Sequence, residues 1–277
     1  MTLNVETTPL FGIGIAGNFA GHLNQTGEAK GLSQAVDDEK PQAIFPFFVP
    51  SATETYLTVN PYSSRALSLP TQADAKVQME SEVAVIAKID YQNGQVSTID
   101  PTHMMLLNDA TYRNAKVSKL AEKKNWGEAS KGIGKESIPL VNGFDSDLSQ
   151  YRFCSFHRQN QQWYLCCKDA SVADYSYFYQ PLLNWLVETI NFQSDEGALH
   201  SILALLEQAG YPQEIVISLG ASRYTEQGES HALRSGDELC TLLYDEQQVD
   251  FTTLKQAVEK GDLDALSEHA LVLYQHC

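Results

Sequence analysis

MESEVAVIAKID (residues 79–90) places two glutamates one residue apart, ahead of a run of small and branched apolar residues. The alternation fits a strand, and Tyr91-Gln92-Asn93-Gly94 is a turn signal that closes it. Side chains alternate along a strand, so Glu80 and Glu82 share one face, roughly 6.5–7 Å apart. Val83, Val85 and Ile89 fill the opposite face, while Ala84 and Ile86 continue the face of the glutamates. Two carboxylates that close repel unless a cation or a proton sits between them. One reading is a solvent-exposed strand end with two ordinary acids. The other is a divalent-ion site, which needs a third oxygen ligand. Asp109 is the candidate, because HMMLLND (103–109) reads as a short strand whose end a hairpin can bring beside Glu80.

The rest of the chain bounds what such a site can serve. Its 277 residues suffice for a large core, and 13 Tyr, 11 Phe and 3 Trp make it rich in aromatic side chains. A formal net charge of −16 argues against nucleic acid and against an anionic membrane, since both attract a basic surface. Five cysteines, with Cys166 and Cys167 adjacent and no CxxC pair, suit a reducing cytoplasm better than a disulfide framework. The N-terminal MTLNVETTPLFGIGIAG has no basic residue before its short apolar run, unlike a signal peptide, and no stretch reaches the length of a membrane span.

The element pattern is α+β with a strand-rich centre. IFPFFVPSA (44–52) is extended, because Pro46 and Pro50 forbid a helix interior. Residues 114–142 read as a mobile connection, and FCSFHRQNQQWYLCCK (153–168) as a hairpin around QNQQ. Helices are expected over 180–190 and from Ser194 to Gly210, and strands over 214–220 and 237–244. Residues 250–277 read as two short amphipathic helices separated by Gly261.

Two glycine patterns are set aside on context. Gly12, Gly14 and Gly17 spell G-x-G-x-x-G, with Asp37 and Asp38 about 20 residues on, as a dinucleotide site requires. The preceding LNVETTP is polar and ends in proline, and no helix and second strand separate the glycines from the acids. GIGKES (132–137) lacks the first glycine of a phosphate loop and has Glu136 where a hydroxyl must meet magnesium.

MESEVAVIAK, LLNDATYRN (106–114) and WGEASKGIG (126–134) together resemble the fumarylacetoacetate hydrolase superfamily. Its members carry E-x-E, D-x-[ST]-x-R and W…K-G segments in that order. GIAGNFAGHLNQTG (14–27), FFVPSA (47–52) and LRSGDEL (233–239) resemble further segments of it. The resemblance implies a β-rich roll with a small N-terminal domain (1–75), a metal-binding domain (76–249) and C-terminal helices (250–277). It implies Mg²⁺ or Mn²⁺ on Glu80, Glu82 and Asp109, with Arg113 and Lys131 as the basic pair and His22 on a lid as the group that handles a proton or water. It also implies a homodimer acting on a small keto or diketo acid by hydrolysis, decarboxylation or isomerisation.

Three positions depart from the family pattern: Gln25 replaces a glutamate three residues after His22, Val49 replaces a lysine, and Lys116 replaces a glutamine. An amide at Gln25 offers no charge to stabilise an imidazolium, which favours decarboxylation, tautomerisation or isomerisation over hydrolysis. The rival reading is a non-catalytic relative that binds a ligand or a partner. His22 and Lys131 discriminate: the enzyme reading needs both at the acids. The remaining histidines, His103, His157, His200, His231, His269 and His276, read as structural or surface residues, and Cys166 and Cys167 as hairpin core.

Overall fold

Asn93 and Gly94 both take positive φ, 54° and 78°, the twist that a two-residue hairpin turn requires. They join the two longest strands of the chain in a computed structural model that describes Val5, residues 8–20, His22, Gln25 and residues 40–277. In chain order the strands are β1 (Phe11–Ala16), β2 (Ala43–Phe48), β3 (Tyr62–Ser63), β4 (Val77–Gln78), β5 (Ser81–Gln92), β6 (Gln95–Asn108), β7 (Thr111–Tyr112), β8 (Lys131–Pro139), β9 (Tyr151–Gln159), β10 (Gln162–Ser171), β11 (Glu214–Ala221), β12 (Glu238–Asp245) and β13 (Ala270–His276). The α-helices that lie wholly among the described residues are α1 (Tyr179–Phe192), α2 (Ile202–Gln208), α3 (Glu226–Ser230) and α4 (Phe251–Lys260).

A seven-stranded sheet runs in the order β2-β1-β11-β5-β6-β8-β3, and a four-stranded sheet in the order β10-β9-β12-β13. Strands from both sides of residue 75 share the larger sheet, and β13 lies beside β12, so neither expected boundary coincides with a break in a sheet. The fold is mixed α+β and rich in strand.

Both faces of β5 are covered. Val83, Val85 and Ile89 join a core with Leu182, Leu186 and Ile190, which lie four residues apart on one face of α1. Ala84 and Ile86 pack on the other face with Phe45, Phe47, Met105 and Val216. Burying each such Leu or Ile contributes about 1.5–3 kcal/mol, so this double covering anchors the strand that carries Glu82.

Several local expectations change. The second strand of the hairpin is fourteen residues long rather than seven, because Val96 and Ile99 extend its buried face. Residues 131–139, expected within a mobile connection, form β8, which pairs antiparallel with β6 and parallel with β3. The helix expected from Ser194 begins only at Ile202, capped by Ser201, whose side chain accepts from Ala204 N. The second C-terminal helix is strand β13. Gly261, at φ 73°, ends α4, and ALVLYQH then covers the side of β12 that would otherwise be an open edge.

The glycines of the rejected dinucleotide pattern have a packing role. A Cβ on Gly12 would lie 2.2 Å from the Phe47 ring, and one on Gly14 would lie 2.4 Å from the Phe45 ring. Bare backbone in β1 is what lets these rings from β2 lie across it. Asp37 and Asp38 lie outside the described residues.

Candidate metal centre

β5 and β6 are in register so that Ser81 faces Asn108, and Asp109 N donates to Glu80 O at 2.9 Å. The hairpin therefore brings Asp109 beside the glutamates. Glu80 and Glu82 are each 2% exposed and Asp109 is fully buried, which removes the reading of a solvated strand end. One carboxylate oxygen from each lies within 4.8 Å of the others. Oxygens around Mg²⁺ can stand at most about 4.2 Å apart, and around Ca²⁺ up to about 5.2 Å. Three hard donors at this spacing are able to hold a divalent ion.

Each acid is held by its own device. Glu80 N donates to Asn108 Oδ1 at 3.0 Å, and Asn108 Nδ2 donates to Gln275 Oε1 at 3.0 Å. Gln275 is buried on β13 and donates in turn to Ala66 O at 2.9 Å, so the last strand fixes the approach to β5. Glu82 is aimed by β11, whose register with β5 shifts between Ser218 and Ala221. Gly220, at φ 111°, turns its N–H onto Glu82 Oε2 at 3.0 Å, and the Ser218 hydroxyl donates to the same oxygen.

Basic groups surround the acids. Arg113 donates from Nη2 to Glu80 Oε1 and from Nε to Gln78 Oε1 at 2.9 Å. Lys131 Nζ lies 2.8 Å from Asp109 Oδ1 and donates to Ala110 O at 3.0 Å, fully buried near the Phe47 and Trp126 rings. His22 Nε2 lies 3.4 Å from Glu80 Oε1, and its ring packs on Tyr224. The structure thus brings together all six residues singled out from the sequence. It adds one that sequence reasoning missed: Lys124 donates to Glu80 Oε2 at 2.7 Å and to Asp109 Oδ2 at 2.5 Å. Nothing in the pair Lys123-Lys124 tells which lysine turns inward. The phase of the 3₁₀ turn Leu120–Lys123 decides it.

These charges set the protonation of the acids. Burial raises the pKa of Glu80, but Lys124 and Arg113 outweigh it and hold the carboxyl well below the usual range. Glu82 goes the other way, pushed well up by burial and then by the neighbouring Asp109 and Glu80. A cation placed among the three acids relieves that repulsion. For Lys131, burial pulls the ammonium pKa down while Asp109 partly restores it.

A cavity of about 20 Å³, room for one water-sized guest, opens onto the acids. His22, Glu80, Glu82, Asp109 and Lys124 are its charged or titratable lining, with Phe45 and Phe19 as apolar walls. Lys131 and Arg113 stand behind the acids and do not line it.

The departures from the family pattern fall at the periphery. Gln25 Oε1 accepts from Tyr224 N at 3.0 Å and Nε2 donates to Tyr224 O at 3.3 Å, so the amide holds backbone rather than the His22 ring. Among the described residues, buried His22 Nδ1 has no hydrogen-bond partner. Val49 is buried in the core, and Lys116 is exposed.

The fold and the acidic centre define the class: a protein with the fumarylacetoacetate hydrolase fold and a buried three-carboxylate site able to hold a metal ion. Residues 28–277 match the family described as "Family of unknown function (DUF5718)", and the chain belongs to that family. Among solved structures it is similar to Cg1458 bound to an inhibitor, with 17% identity and a TM-score of 0.53 over 85% of this chain and 73% of that one. A fumarylacetoacetate hydrolase family protein from Yersinia pestis CO92 is 17% identical, with a TM-score of 0.51 over 85% of this chain and 89% of that one. The 2-keto-3-deoxy-D-arabinonate dehydratase complexed with magnesium and 2,5-dioxopentanoate is 13% identical, with a TM-score of 0.51 over 85% and 69% respectively. No curated protein matches the chain in sequence. Among the described residues no helix is long and apolar enough to cross a membrane.

Proposed function

We propose that this protein is a divalent-metal-dependent enzyme that performs enolate chemistry on a small keto or diketo acid, with Mg²⁺ or Mn²⁺ held by Glu80, Glu82 and Asp109. The observation that carries the reading is the convergence of three buried carboxylates with His22 and Lys124 on one small cavity. The similar dehydratase complexed with magnesium and 2,5-dioxopentanoate supports the metal and the substrate class. His22 and Lys131 both reach the acids, as the enzyme reading requires.

When bound, the ion supplies Lewis-acid stabilisation of negative charge on a keto oxygen. The chain's own groups do the rest. Arg113 and Lys131, at the backs of Glu80 and Asp109, hold those carboxylates in place. In a decarboxylation the bond to the departing carboxylate breaks, its electron pair moves toward the keto oxygen, and carbon takes up a proton. His22, on the cavity wall, is the group placed to deliver that proton. Lys124 offers a positive charge to the oxygen on which the electron pair gathers. Hydrolysis is disfavoured, because Gln25 is committed to Tyr224 and, among the described residues, no carboxylate partners His22 Nδ1.

The odd cysteine count, with Cys166 and Cys167 adjacent and no CxxC pair, favours a cytoplasmic setting. The test is a Mn²⁺ titration followed by melting temperature in wild type and Glu82→Ala, then turnover of oxaloacetate-like acids and acylpyruvates. A metal-induced rise in wild type alone, with faster turnover of oxaloacetate-like acids, supports the proposal. No shift, or an equal shift in Glu82→Ala, overturns the metal site. Metal binding without turnover moves the assignment to a non-catalytic binding protein, and faster hydrolysis of acylpyruvates overturns the stated preference.

A further inference from the structure

The six oxygens of the three acids are not equivalent. Glu80 Oε1 is taken by Arg113 and His22, and Asp109 Oδ1 faces Lys131. Glu82 Oε2 accepts from Ser218 and Gly220, which leaves Glu82 Oε1, Glu80 Oε2 and Asp109 Oδ2. The last two are held by the ammonium of Lys124, at 2.7 Å and 2.5 Å. A divalent ion that takes Glu80 Oε2 and Asp109 Oδ2 competes with that ammonium.

The backbone around Lys124 is pinned on both sides. Lys124 N and Asn125 N each donate to Ala121 O at 3.0 Å, and Asn125 Nδ2 reaches Phe47 O at 2.8 Å and Val59 O at 3.0 Å. Any change of position therefore falls to the four-carbon side chain, whose ammonium lies 4.9 Å from the centre of the Phe45 ring. Charge points the same way. A divalent ion entering beside the Lys124 ammonium meets a repulsive like charge.

We propose that Lys124 is a tethered counter-cation in the metal position, and that a divalent ion binds by displacing its ammonium from Glu80 Oε2 and Asp109 Oδ2. The inference rests on the metal reading above. Displacement also moves a lining residue of the cavity, which at about 20 Å³ holds no more than a water-sized guest.

The experiment is calorimetric Mn²⁺ binding, with melting temperatures in EDTA and in Mn²⁺, for wild type, Lys124→Met and Lys124→Gln. The expected result is at least tenfold tighter Mn²⁺ binding in the variants. Their melting temperature should be lower than wild type in EDTA, where Glu80 and Asp109 lose their partner, with a larger rise on adding Mn²⁺. Wild type that binds Mn²⁺ as tightly as the variants, or more tightly, overturns the displacement while leaving the metal site standing. Absence of binding in all three proteins overturns the metal reading and the displacement together. If Lys124→Met fails to fold, Lys124→Gln, which keeps a polar tip, decides by the same comparison.

Discussion

Gly220 N donates to Glu82 Oε2 at 3.0 Å from a backbone at φ 111°, so a strand irregularity in β11 aims a carboxylate that belongs to β5. The left-handed backbone is what turns the amide toward the acid, and glycine alone adopts it without strain.

Gly220→Ala should cost about 1–3 kcal/mol of stability and weaken Mn²⁺ binding severalfold, because the strained bulge relaxes and Glu82 loses its alignment. Denaturant melts and Mn²⁺ titration check both parts. Unchanged metal affinity in a destabilised variant would separate the bulge from the site.

Gly14→Ala should act through Phe45, whose ring lies where the new Cβ must go. Overpacking of this kind costs about 1–3 kcal/mol, and the displaced ring presses on Lys124 and the cavity. Adding Phe45→Leu to the same chain should recover part of the melting temperature. A double variant no more stable than Gly14→Ala would show that ring crowding is not the cause.

Acid should destabilise the protein through His157 and His200. Burial is the main cause holding both below the ordinary value of 6.5, for His157 against the opposing pull of Asp237. Between the depressed native pKa and 6.5 the unfolded chain binds more protons, so stability rises with pH across that window and is lost as pH falls through it. Melting temperatures at pH 7.5, 6.5 and 5.5 should fall less steeply in the His157→Gln/His200→Gln double variant than in wild type. Parallel slopes would assign the acid sensitivity to other groups.

Self-association as a homodimer is the expected solution state, from the family resemblance and from the aromatic side chains between Tyr151 and Trp185. Sedimentation at micromolar concentration should show it, and a clean 30.7 kDa species would rule it out.

The sequence by itself determined what depends on near neighbours. The alternation in MESEVAVIAKID put Glu80 and Glu82 on one face and Val83 and Val85 on the other. Asn93-Gly94 closed the hairpin that returns Asp109 to Glu80. The resemblance of its ordered segments to a known family singled out Arg113, Lys131 and His22. What the tertiary structure alone decided depends on partners far away in sequence. It decided that the acids are buried, that Ser218 and Gly220 aim Glu82, and that Gln275 on the last strand holds Asn108. It turned residues 270–276 into a strand, since an ambiguous apolar run takes the conformation that the open side of β12 rewards. It also chose Lys124 over Lys123, because which of two adjacent lysines faces a cavity follows from the rotation of one short turn against β2, and no local pattern encodes that angle.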